Sequence, residues 1–299
     1  MPARIRLAAV LLSTLALATA AACAPQDSAA PEVGNPGANS SASNSPGSNS
    51  CAKDQLKVVT AGKFTVGTDK PAYEPWFVDD TPANGKGYES AVAYAVAEKL
   101  GFAQSEVSWI VVPFTNAYAP GDKKFDVDIN QVSITEARRK AVDFSTGYYD
   151  LAQTVIAVQG SKIAGAKSVA ELKEAKLGAQ VGTTSYTAIN DQIQPTQQAA
   201  VYDTNDLAVQ ALQNGQVDGI VVDLPTAFYM TSAQLDDGVI VGQLPAGSGK
   251  PDQLGMVLAK GSPLTPCVSQ AVDALRSDGT LDKLASQWLA GADGAPKLS

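Results

Sequence analysis

The sequence predicts an α/β fold with mostly parallel sheets. Short apolar runs rich in β-branched residues alternate with segments whose apolar residues recur every three or four positions. The first pattern is typical of buried strands and the second of helices packed on them. The alternation begins near residue 63 and starts again near residue 168, and such alternation favours sheets covered by helices.

The first group of elements precedes residue 135. "KFTVGTD" (63–69) predicts a strand, and "ESAVAYAVAEKLGF" (89–102) predicts a helix that stops at Gly101. "VSWIVVPF" (107–114) and "DVDINQVSI" (126–134) predict two more strands.

The second group opens with "QTVIAVQ" (153–159), which predicts a strand that crosses between the two groups. There follow a helix at 168–175, strands at 176–182 and 219–224, a helix at 206–215, a strand at 255–260 and two helices within 263–289. In α/β sheets, ligands bind beyond the carboxyl ends of the strands. The residues at such ends are Asp69, Phe114, Gln131 to Thr135, Gly182 to Ser185 and Asp223.

Residues 1–22 have the pattern of a signal peptide. Arg4 and Arg6 precede an apolar run from Leu7 to Ala18 that is short for a membrane span. Small residues then lead to Cys23, which resembles the acylated cysteine of bacterial lipoproteins. Ala20 stands where that motif usually has Leu, so ordinary signal-peptide cleavage is the alternative.

Residues 23–50 predict a flexible tether. After Cys23 the segment holds no Lys, no Arg and no aromatic residue, and it is rich in Ser, Asn, Pro and Gly. We therefore expect a folded part outside the cytoplasm, in the periplasm or at the cell surface, anchored to the membrane by N-terminal lipid.

Three cysteines are present, at positions 23, 51 and 267. If Cys23 carries lipid, Cys51 and Cys267 remain to form a disulfide outside the cytoplasm. Two free buried thiols are the alternative.

Composition favours binding over catalysis. The formal net charge is −8 and the chain has no histidine. An acidic surface without basic patches argues against a nucleic-acid partner. The absence of histidine removes Ser-His-Asp and Cys-His catalysis and most zinc sites. No CxxC, phosphate-loop or GxGxxG motif is present, so we expect no cofactor and no metal.

Seven motifs between Gly62 and Trp288 resemble those of a known family and occur in the same order. The family is the polar amino-acid solute-binding lipoproteins of ABC importers, also called bacterial extracellular solute-binding protein family 3. The motifs are "VGTDKPAYEPWF", "GKGYESAVAYAVAEKLGF", "FDVDINQVSITEARRKAVDFSTGYY", "SVAELKEAKLGAQVGTTSYTAI", "ALQNGQVDGIVVDLP", "LGMVLAKGS" and "LRSDGTLDKLASQW". The third is the most specific. Its "TEAR" departs from the usual Thr-Pro-Glu-Arg or Thr-Asp-Glu-Arg but keeps the spacing of the arginine.

The resemblance implies a two-lobed periplasmic-binding-protein-like fold with two crossing hinge segments. Lobe one would comprise residues 51–148 plus 255–299, and lobe two residues 153–249. The hinges would lie near 148–152 and 250–254. The resemblance also implies an amino acid bound between the lobes and permease subunits as partners, and we expect a monomer.

The resemblance also implies how the backbone groups of an amino acid are held. Arg138 would bind the α-carboxylate in a bidentate pair, helped by the hydroxyl of Ser133 and by the main-chain N–H of Thr184. Asp223 would take the α-ammonium group. Without the resemblance, the alternative for Arg138 is a cation at a solvated helix start, beside Arg139 and Lys140. The alternative for Asp223 is the cap of the helix that begins at Leu224 and Pro225.

Five further positions would surround the ligand side chain. Tyr73 and Phe114 would sandwich it, although aromatic residues at loop starts are often core. Asp69 would face its tip, although a turn residue before Pro71 is the alternative. Gln131 stands where the family has Gly or Ser, and Gln180 stands where some members have a basic residue.

A carboxylate at position 69 accepts hydrogen bonds and donates none. It therefore favours ligands with an amide or basic side chain over acidic ones, and apolar ligands come last. Two other functions stay open. One is an enzyme of the same fold, such as a cyclohexadienyl dehydratase, with Glu74 or Glu89 as general acid. The other is a lipoprotein that senses ligand for a membrane partner.

Overall fold

A computed structural model of the chain describes residues 51–247, 249–289 and 294–299. The predicted signal peptide, the tether and Cys23 lie outside these residues. None of the helices in the described ranges is long and apolar enough to span a membrane.

The described chain forms twelve strands and eight α-helices. The strands are β1 (Phe64–Thr68), β2 (Val107–Val111), β3 (Val127–Asp128), β4 (Val142–Phe144), β5 (Tyr149–Leu151), β6 (Gln153–Val158), β7 (Leu177–Gln180), β8 (Ala200–Tyr202), β9 (Gly219–Asp223), β10 (Gly238–Gln243), β11 (Asp252–Leu254) and β12 (Val257–Ala259). The helices are α1 (Tyr88–Lys99), α2 (Phe114–Ala117), α3 (Glu136–Arg139), α4 (Thr184–Ala188), α5 (Asn205–Gln213), α6 (Leu224–Tyr229), α7 (Thr265–Ser277) and α8 (Thr280–Trp288).

Two five-stranded sheets organise these elements. The first has the strand order β2-β1-β3-β12-β4, and the second has the order β10-β6-β9-β7-β8. We call the first sheet with α1–α3, α7 and α8 the first lobe, and the second sheet with α4–α6 the second lobe. A two-stranded sheet of β5 and β11 joins them, because the chain passes to the second lobe through β5 and returns through β11.

The sheets are mixed, so the expectation of mostly parallel sheets is wrong. β1 pairs in parallel with β2 and β3, and β7 pairs in parallel with β8 and β9. Within the two five-stranded sheets, every antiparallel pair involves β6 or β12. These two strands directly follow the connecting strands β5 and β11, so the chain enters each sheet from the side of the other lobe and runs against its neighbours.

Most predicted elements form, but several are shorter than expected. The strand predicted for 107–114 ends at Val111, and Phe114 instead begins α2 after Pro113, which has no N–H to donate to a ladder. Only Val127–Asp128 of 126–134 pairs as a strand, since the backbone turns at Gln131. The helix predicted for 168–175 is a single 3₁₀ turn, Val169–Leu172.

The first lobe buries a core between its sheet and helices α1, α7 and α8. Trp76, Phe77 and Val92 are fully buried there. Cys51 and Cys267 form a disulfide with their Cα atoms 5.4 Å apart. The predicted pairing is therefore confirmed, and it ties the start of the described chain to α7.

The final segment, 294–299, lies against the second lobe, not the first as predicted. The main chain of Gln243 donates to Pro296 at 2.8 Å and accepts from Leu298 at 2.9 Å. Leu298 packs in a core cluster of the second lobe. β10 is an edge strand, and its unpaired backbone groups provide the partners that draw this segment across.

Candidate ligand-binding cleft

A cavity lies between the two lobes, where the carboxyl ends of β1, β7 and β9 face one another. All nine residues predicted to bind ligand line it, namely Asp69, Tyr73, Phe114, Gln131, Ser133, Arg138, Gln180, Thr184 and Asp223. Five further residues line the cavity, namely Asn130, Thr183, Asn205, Val222 and Thr226. Of these, only Thr183 lies in a segment that the sequence patterns placed at a strand end.

Arg138 is a buried cation that contacts both lobes. Arg138 is only 8% exposed, so the alternative prediction of a solvated cation at a helix start is wrong. Nη1 donates to the carbonyl of Ser133 at 2.7 Å, and Nη2 donates to the carbonyl of Gly182 at 2.9 Å. A guanidinium carries five N–H groups, so those not bonded to the two carbonyls or to the Tyr118 hydroxyl remain for a ligand. Arg139, by contrast, is exposed and lies 3.8 Å from the carboxylate of Glu136.

Two aromatic rings cover the Arg138 guanidinium. Its central carbon lies 4.5 Å from the ring centroid of Tyr118 and 5.6 Å from that of Phe114. Burial lowers the pKa of Arg138, but a guanidinium stays protonated in proteins. The rings shield the cation from water and so strengthen its attraction for an anion.

Ser133 and Thr184 meet across the cleft, with their hydroxyl oxygens 3.0 Å apart. Thr184 is the first residue of α4, and the preceding Thr183 caps the helix by accepting from Tyr186 N at 3.2 Å. Ser133 lies just before Thr135, whose side chain caps α3. The starts of α3 and α4 therefore hold the two hydroxyls beside the Arg138 side chain.

Asp223 ends β9 and faces the cavity from the second lobe. Asp223 is the N-cap residue of α6, as the alternative prediction had it, but its side chain makes no capping bond. Instead it accepts from Gln153 Nε2 at 2.9 Å. Burial raises the pKa of Asp223 to about 7, with a smaller opposing effect from the Gln153 hydrogen bond.

Gln153, which the sequence analysis did not single out, organises this side of the cleft. Its Oε1 accepts from Ser185 Oγ at 2.6 Å, which leaves its Nε2 to donate to Thr184 at 3.2 Å as well as to Asp223. The bond from Ser185 thus fixes which end of the amide faces Asp223.

Asp69 both shapes its loop and lines the cavity. Its carboxylate accepts from Lys70 N at 2.7 Å and from Phe114 N at 3.2 Å. Burial raises the pKa of Asp69, and the two backbone bonds oppose that shift. Tyr73 stands on the same loop, and burial together with the nearby carboxylate of Asp206 raises the pKa of its hydroxyl.

Gln131 and Gln180 close the cavity from opposite lobes. Gln180 is the last residue of β7 and is buried. Gln131 has a φ of 48°, in the left-handed region that few residues other than glycine adopt. Its main-chain N donates to Glu89 Oε1 at 2.7 Å, and its side-chain amide donates to Glu89 Oε2.

Glu89 lies behind the cavity wall and does not line the cavity. It is fully buried and also accepts a hydrogen bond from the hydroxyl of Tyr148. Burial raises the pKa of Glu89 to about 7, and the bonds from Tyr148 and Gln131 oppose that shift. Glu74 does not line the cavity either.

Two more hydrogen bonds join the lobes beside the cavity. Trp76 Nε1 donates to Thr226 Oγ1 at 2.9 Å, and the hydroxyl of Tyr118 donates to the carbonyl of Gly182 at 3.1 Å. Trp76 thus packs in the core of the first lobe and also connects the lobes through its indole N–H. Within the described part of the chain, no group of three or more acidic or cysteine residues could hold a metal ion.

Known proteins with the same fold bind amino acids. An L-cystine-binding protein of Escherichia coli (strain K12) is 29% identical over 239 residues, which cover 79% of this chain and 86% of that protein. The structure of an ancestral arginine-binding protein bound to arginine shares 30% identity with a TM-score of 0.62, covering 76% of this chain and 98% of that one. An ancestral amino acid-binding protein, described as a precursor of cyclohexadienyl dehydratase, shares 31% identity with a TM-score of 0.62 and covers 76% and 95%.

The sequence pattern of one family covers almost all of the two lobes. It matches residues 64–291, from the first residue of β1 to just beyond α8. The matched part carries the nine predicted residues that line the cavity. The chain belongs to the bacterial extracellular solute-binding proteins, family 3.

Proposed function

We propose that this protein captures a polar amino acid between its two lobes and delivers it to the permease of an ABC importer. The ligand is one with an amide or a basic side chain. The closing motion takes place at hinges near 148–152 and 250–254, between a first lobe of 51–148 plus 255–289 and a second lobe of 153–249 plus 294–299.

The charge of the cavity carries this proposal. Among its described lining residues, three are charged, the cation Arg138 and the carboxylates Asp69 and Asp223. An amino acid zwitterion brings one α-carboxylate and one α-ammonium group, which pair with Arg138 and Asp223. Asp69 then remains, and a ligand whose side chain donates hydrogen bonds or carries a positive charge balances it.

The same geometry orients the ligand backbone. The α-carboxylate accepts from the free N–H groups of Arg138 and from the Ser133 hydroxyl, and the main-chain N–H of Thr184 approaches it from the other lobe. The α-ammonium group donates to Asp223, which Gln153 holds in place. Because Arg138 belongs to the first lobe and Asp223 to the second, one ligand pulls both lobes together.

Ligands rank by how they satisfy Asp69. Basic and amide side chains come first, because they donate to a carboxylate that is already partly desolvated. An acidic side chain would place like charges in a closed cleft. A large apolar side chain would leave Asp69 without a ligand donor, which costs roughly 1–3 kcal/mol. The named relatives bind cystine and arginine, so membership of the family alone does not choose among these ligands.

The protein acts outside the cytoplasm, held at the membrane by lipid on Cys23, and its partners are the permease subunits. It works as a monomer and needs no cofactor. A sensory role would use the same closure with a different membrane partner, so ligand binding alone does not separate the two roles.

Catalysis is the second candidate, favoured by the likeness to a precursor of cyclohexadienyl dehydratase. Such chemistry needs a general acid in contact with the substrate. Neither Glu74 nor Glu89 lines the cavity, and Glu89 is engaged by donors from Tyr148 and Gln131. We therefore favour binding over catalysis.

A thermal-shift screen of the protein against the common amino acids and cystine tests the proposal. A ligand at one hundred times its dissociation constant raises the free energy of unfolding by about 2.7 kcal/mol. We expect stabilisation by arginine, lysine, glutamine or asparagine. Stabilisation by none of the amino acids, or product formation from prephenate or arogenate, would refute it.

Small-angle scattering tests the hinge motion separately. Saturating ligand should reduce the radius of gyration, because hinge closure brings the lobes together. An identical scattering profile with and without a ligand that binds in the screen would reject closure while leaving the binding proposal intact.

A further inference from the structure

A fully buried carboxylate lies directly behind the ligand cavity without a cationic partner. Glu89, the second residue of α1, is 0% exposed. Within the described residues no Lys or Arg forms an ion pair with it. Buried charges without a cation persist only when hydrogen-bond donors replace water around them. Here the donors are the Tyr148 hydroxyl and two groups of Gln131.

Gln131 donates to this carboxylate from both its main-chain N–H and its side-chain amide. The main-chain N–H bonds one carboxylate oxygen and the side-chain amide bonds the other. This two-point contact holds a backbone conformation, φ of 48°, that a residue with a side chain rarely adopts. Gln131 is thereby fixed in both its backbone and its side chain.

The contact decides which end of the Gln131 amide the ligand meets. When Glu89 is ionised, its carboxylate oxygens only accept hydrogen bonds, so the amide nitrogen must face them. The amide oxygen is then left for the cavity, which Gln131 lines. A freely turning glutamine could offer the ligand either a donor or an acceptor, and this one is restricted to an acceptor.

We propose that Glu89 is a positioning residue for ligand selection, which holds Gln131 so that its amide oxygen, together with the carboxylate of Asp69, forms a wall of acceptors for the ligand side chain. The proposal rests on the proposed amino-acid-binding function and deepens it. An unrestrained Gln131 amide could donate to an acidic ligand. Held by Glu89, it presents its oxygen instead and favours ligands that donate hydrogen bonds.

The test is the ratio of affinities for glutamine and glutamate, which have nearly the same shape but opposite hydrogen-bonding character, with arginine as a cationic probe. At pH 8, where the Glu89 carboxylate is mostly ionised, Glu89→Gln keeps the size of the side chain and removes its obligate acceptor character. We expect calorimetry to show about a tenfold loss in the preference for glutamine over glutamate, and a similar weakening of arginine binding. An unchanged ratio would overturn the proposal.

A double-mutant cycle separates positioning from a general structural effect. If Glu89 acts through Gln131, Glu89→Gln should change the ratio little in a Gln131→Ala background. The same tenfold loss in that background would show that Glu89 acts by another route.

Asp126→Asn is the matched control. Asp126 is another buried carboxylate of the first lobe, it accepts from Val59 N and Thr65 N at 2.7 Å each, and it does not line the cavity. Asp126→Asn should lower the melting temperature and leave the ratio of affinities for glutamine and glutamate unchanged. An equal change in the ratio would overturn the positioning role.

If Glu89→Gln does not fold, Glu89→Asp replaces it in the test. This variant keeps the charge but draws the carboxylate back from Gln131, so it should shift the ratio of affinities for glutamine and glutamate in the same direction. Unmutated protein that binds none of the three probes would count against the proposed function. Binding with a ratio that neither Glu89 variant changes would count against this inference alone.

Discussion

The hydroxyl of Tyr118, in the first lobe, donates to the carbonyl oxygen of Gly182, in the second lobe, at 3.1 Å. The same carbonyl accepts from Nη2 of Arg138 at 2.9 Å. Gly182 has a φ of 73°, and a Cβ atom at this position would lie 2.4 Å from the Tyr118 hydroxyl oxygen. One glycine is thus the point where the lobes meet beside the buried arginine.

Gly182→Ala should weaken ligand binding at least tenfold, because the added methyl group collides with Tyr118 only when the lobes are together. Calorimetry measures the loss. Gly215→Ala is the control, since Gly215 has a similar φ of 65° and open space at its Cβ position. It should carry the same backbone strain without affecting affinity. Adding Tyr118→Phe to Gly182→Ala should restore part of the binding, and no restoration would argue against the collision.

Arg138→Ala should abolish detectable ligand binding and leave the fold intact. Loss of one partner of a buried hydrogen-bonded charge pair costs roughly 2–5 kcal/mol of binding free energy. Arg139→Ala should be nearly silent, because that side chain is exposed beside Glu136. Calorimetry compares the two variants, and circular dichroism verifies their folding. The reverse order of effects would mean that Arg138 does not hold the ligand carboxylate.

Asp69→Asn should weaken the binding of a basic ligand and admit an acidic one. The substitution removes a negative charge from the end of the cavity and replaces one acceptor by a donor. Competition binding with arginine and glutamate measures the change in preference. Tight binding of glutamate by the unmutated protein, unaffected by Asp69→Asn, would show that Asp69 does not contact the ligand side chain.

Acid should weaken ligand binding below about pH 7. Burial raises the pKa of Asp223 to about 7, against opposing effects of Gln153 and Arg138 and with a further raising effect of Asp252. An α-ammonium group binds the ionised carboxylate, so protons compete with ligand and affinity should fall by up to about tenfold per pH unit. Calorimetry from pH 8 to pH 5 measures this, and a flat profile would exclude Asp223 as the partner of the ammonium group.

The ligand-free protein should respond to pH in the opposite sense. Asp223 and Glu89 both have pKa values raised to about 7 by burial, so between about pH 4 and pH 7 the folded state binds protons that the unfolded state releases. The free energy of unfolding should therefore fall as pH rises through this window. Denaturant unfolding at several pH values tests the sign, and Asp223→Asn should reduce the slope.

Removal of the Cys51–Cys267 disulfide should lower the free energy of unfolding by about 5 kcal/mol in the chain-entropy account of a loop this long. The two cysteines are 216 residues apart. A reducing agent should lower the melting temperature of the unmutated protein but not that of a Cys51→Ser, Cys267→Ser variant. Alkylation of both thiols in unreduced exported protein, detected by mass spectrometry, would contradict the bond.

Local sequence patterns predicted most helices and strands, because the spacing of apolar residues within one element involves only neighbouring positions of the chain. The spacing of apolar residues along α1 and the β-branched residues of β6 and β9 are legible without a partner. The predictions were wrong where the outcome depended on contacts with distant chain. The direction of β12 follows from the return of the chain between the lobes, and segment 294–299 lies where the free edge of β10 accepts it.

By itself, the sequence determined the α/β class, the family motifs and nine of the fourteen described residues that line the cavity, because each is encoded in a short run of neighbouring residues. The tertiary structure alone decided the surroundings of those residues. Gln153 orients Asp223, Glu89 clamps Gln131, and Gly182 bonds Arg138 across the cleft. These pairs join residues at least 42 positions apart. The first two pairs lie within one lobe each and the third crosses the cleft, so only tertiary packing brings together groups whose hydrogen bonds extend no more than about 3 Å.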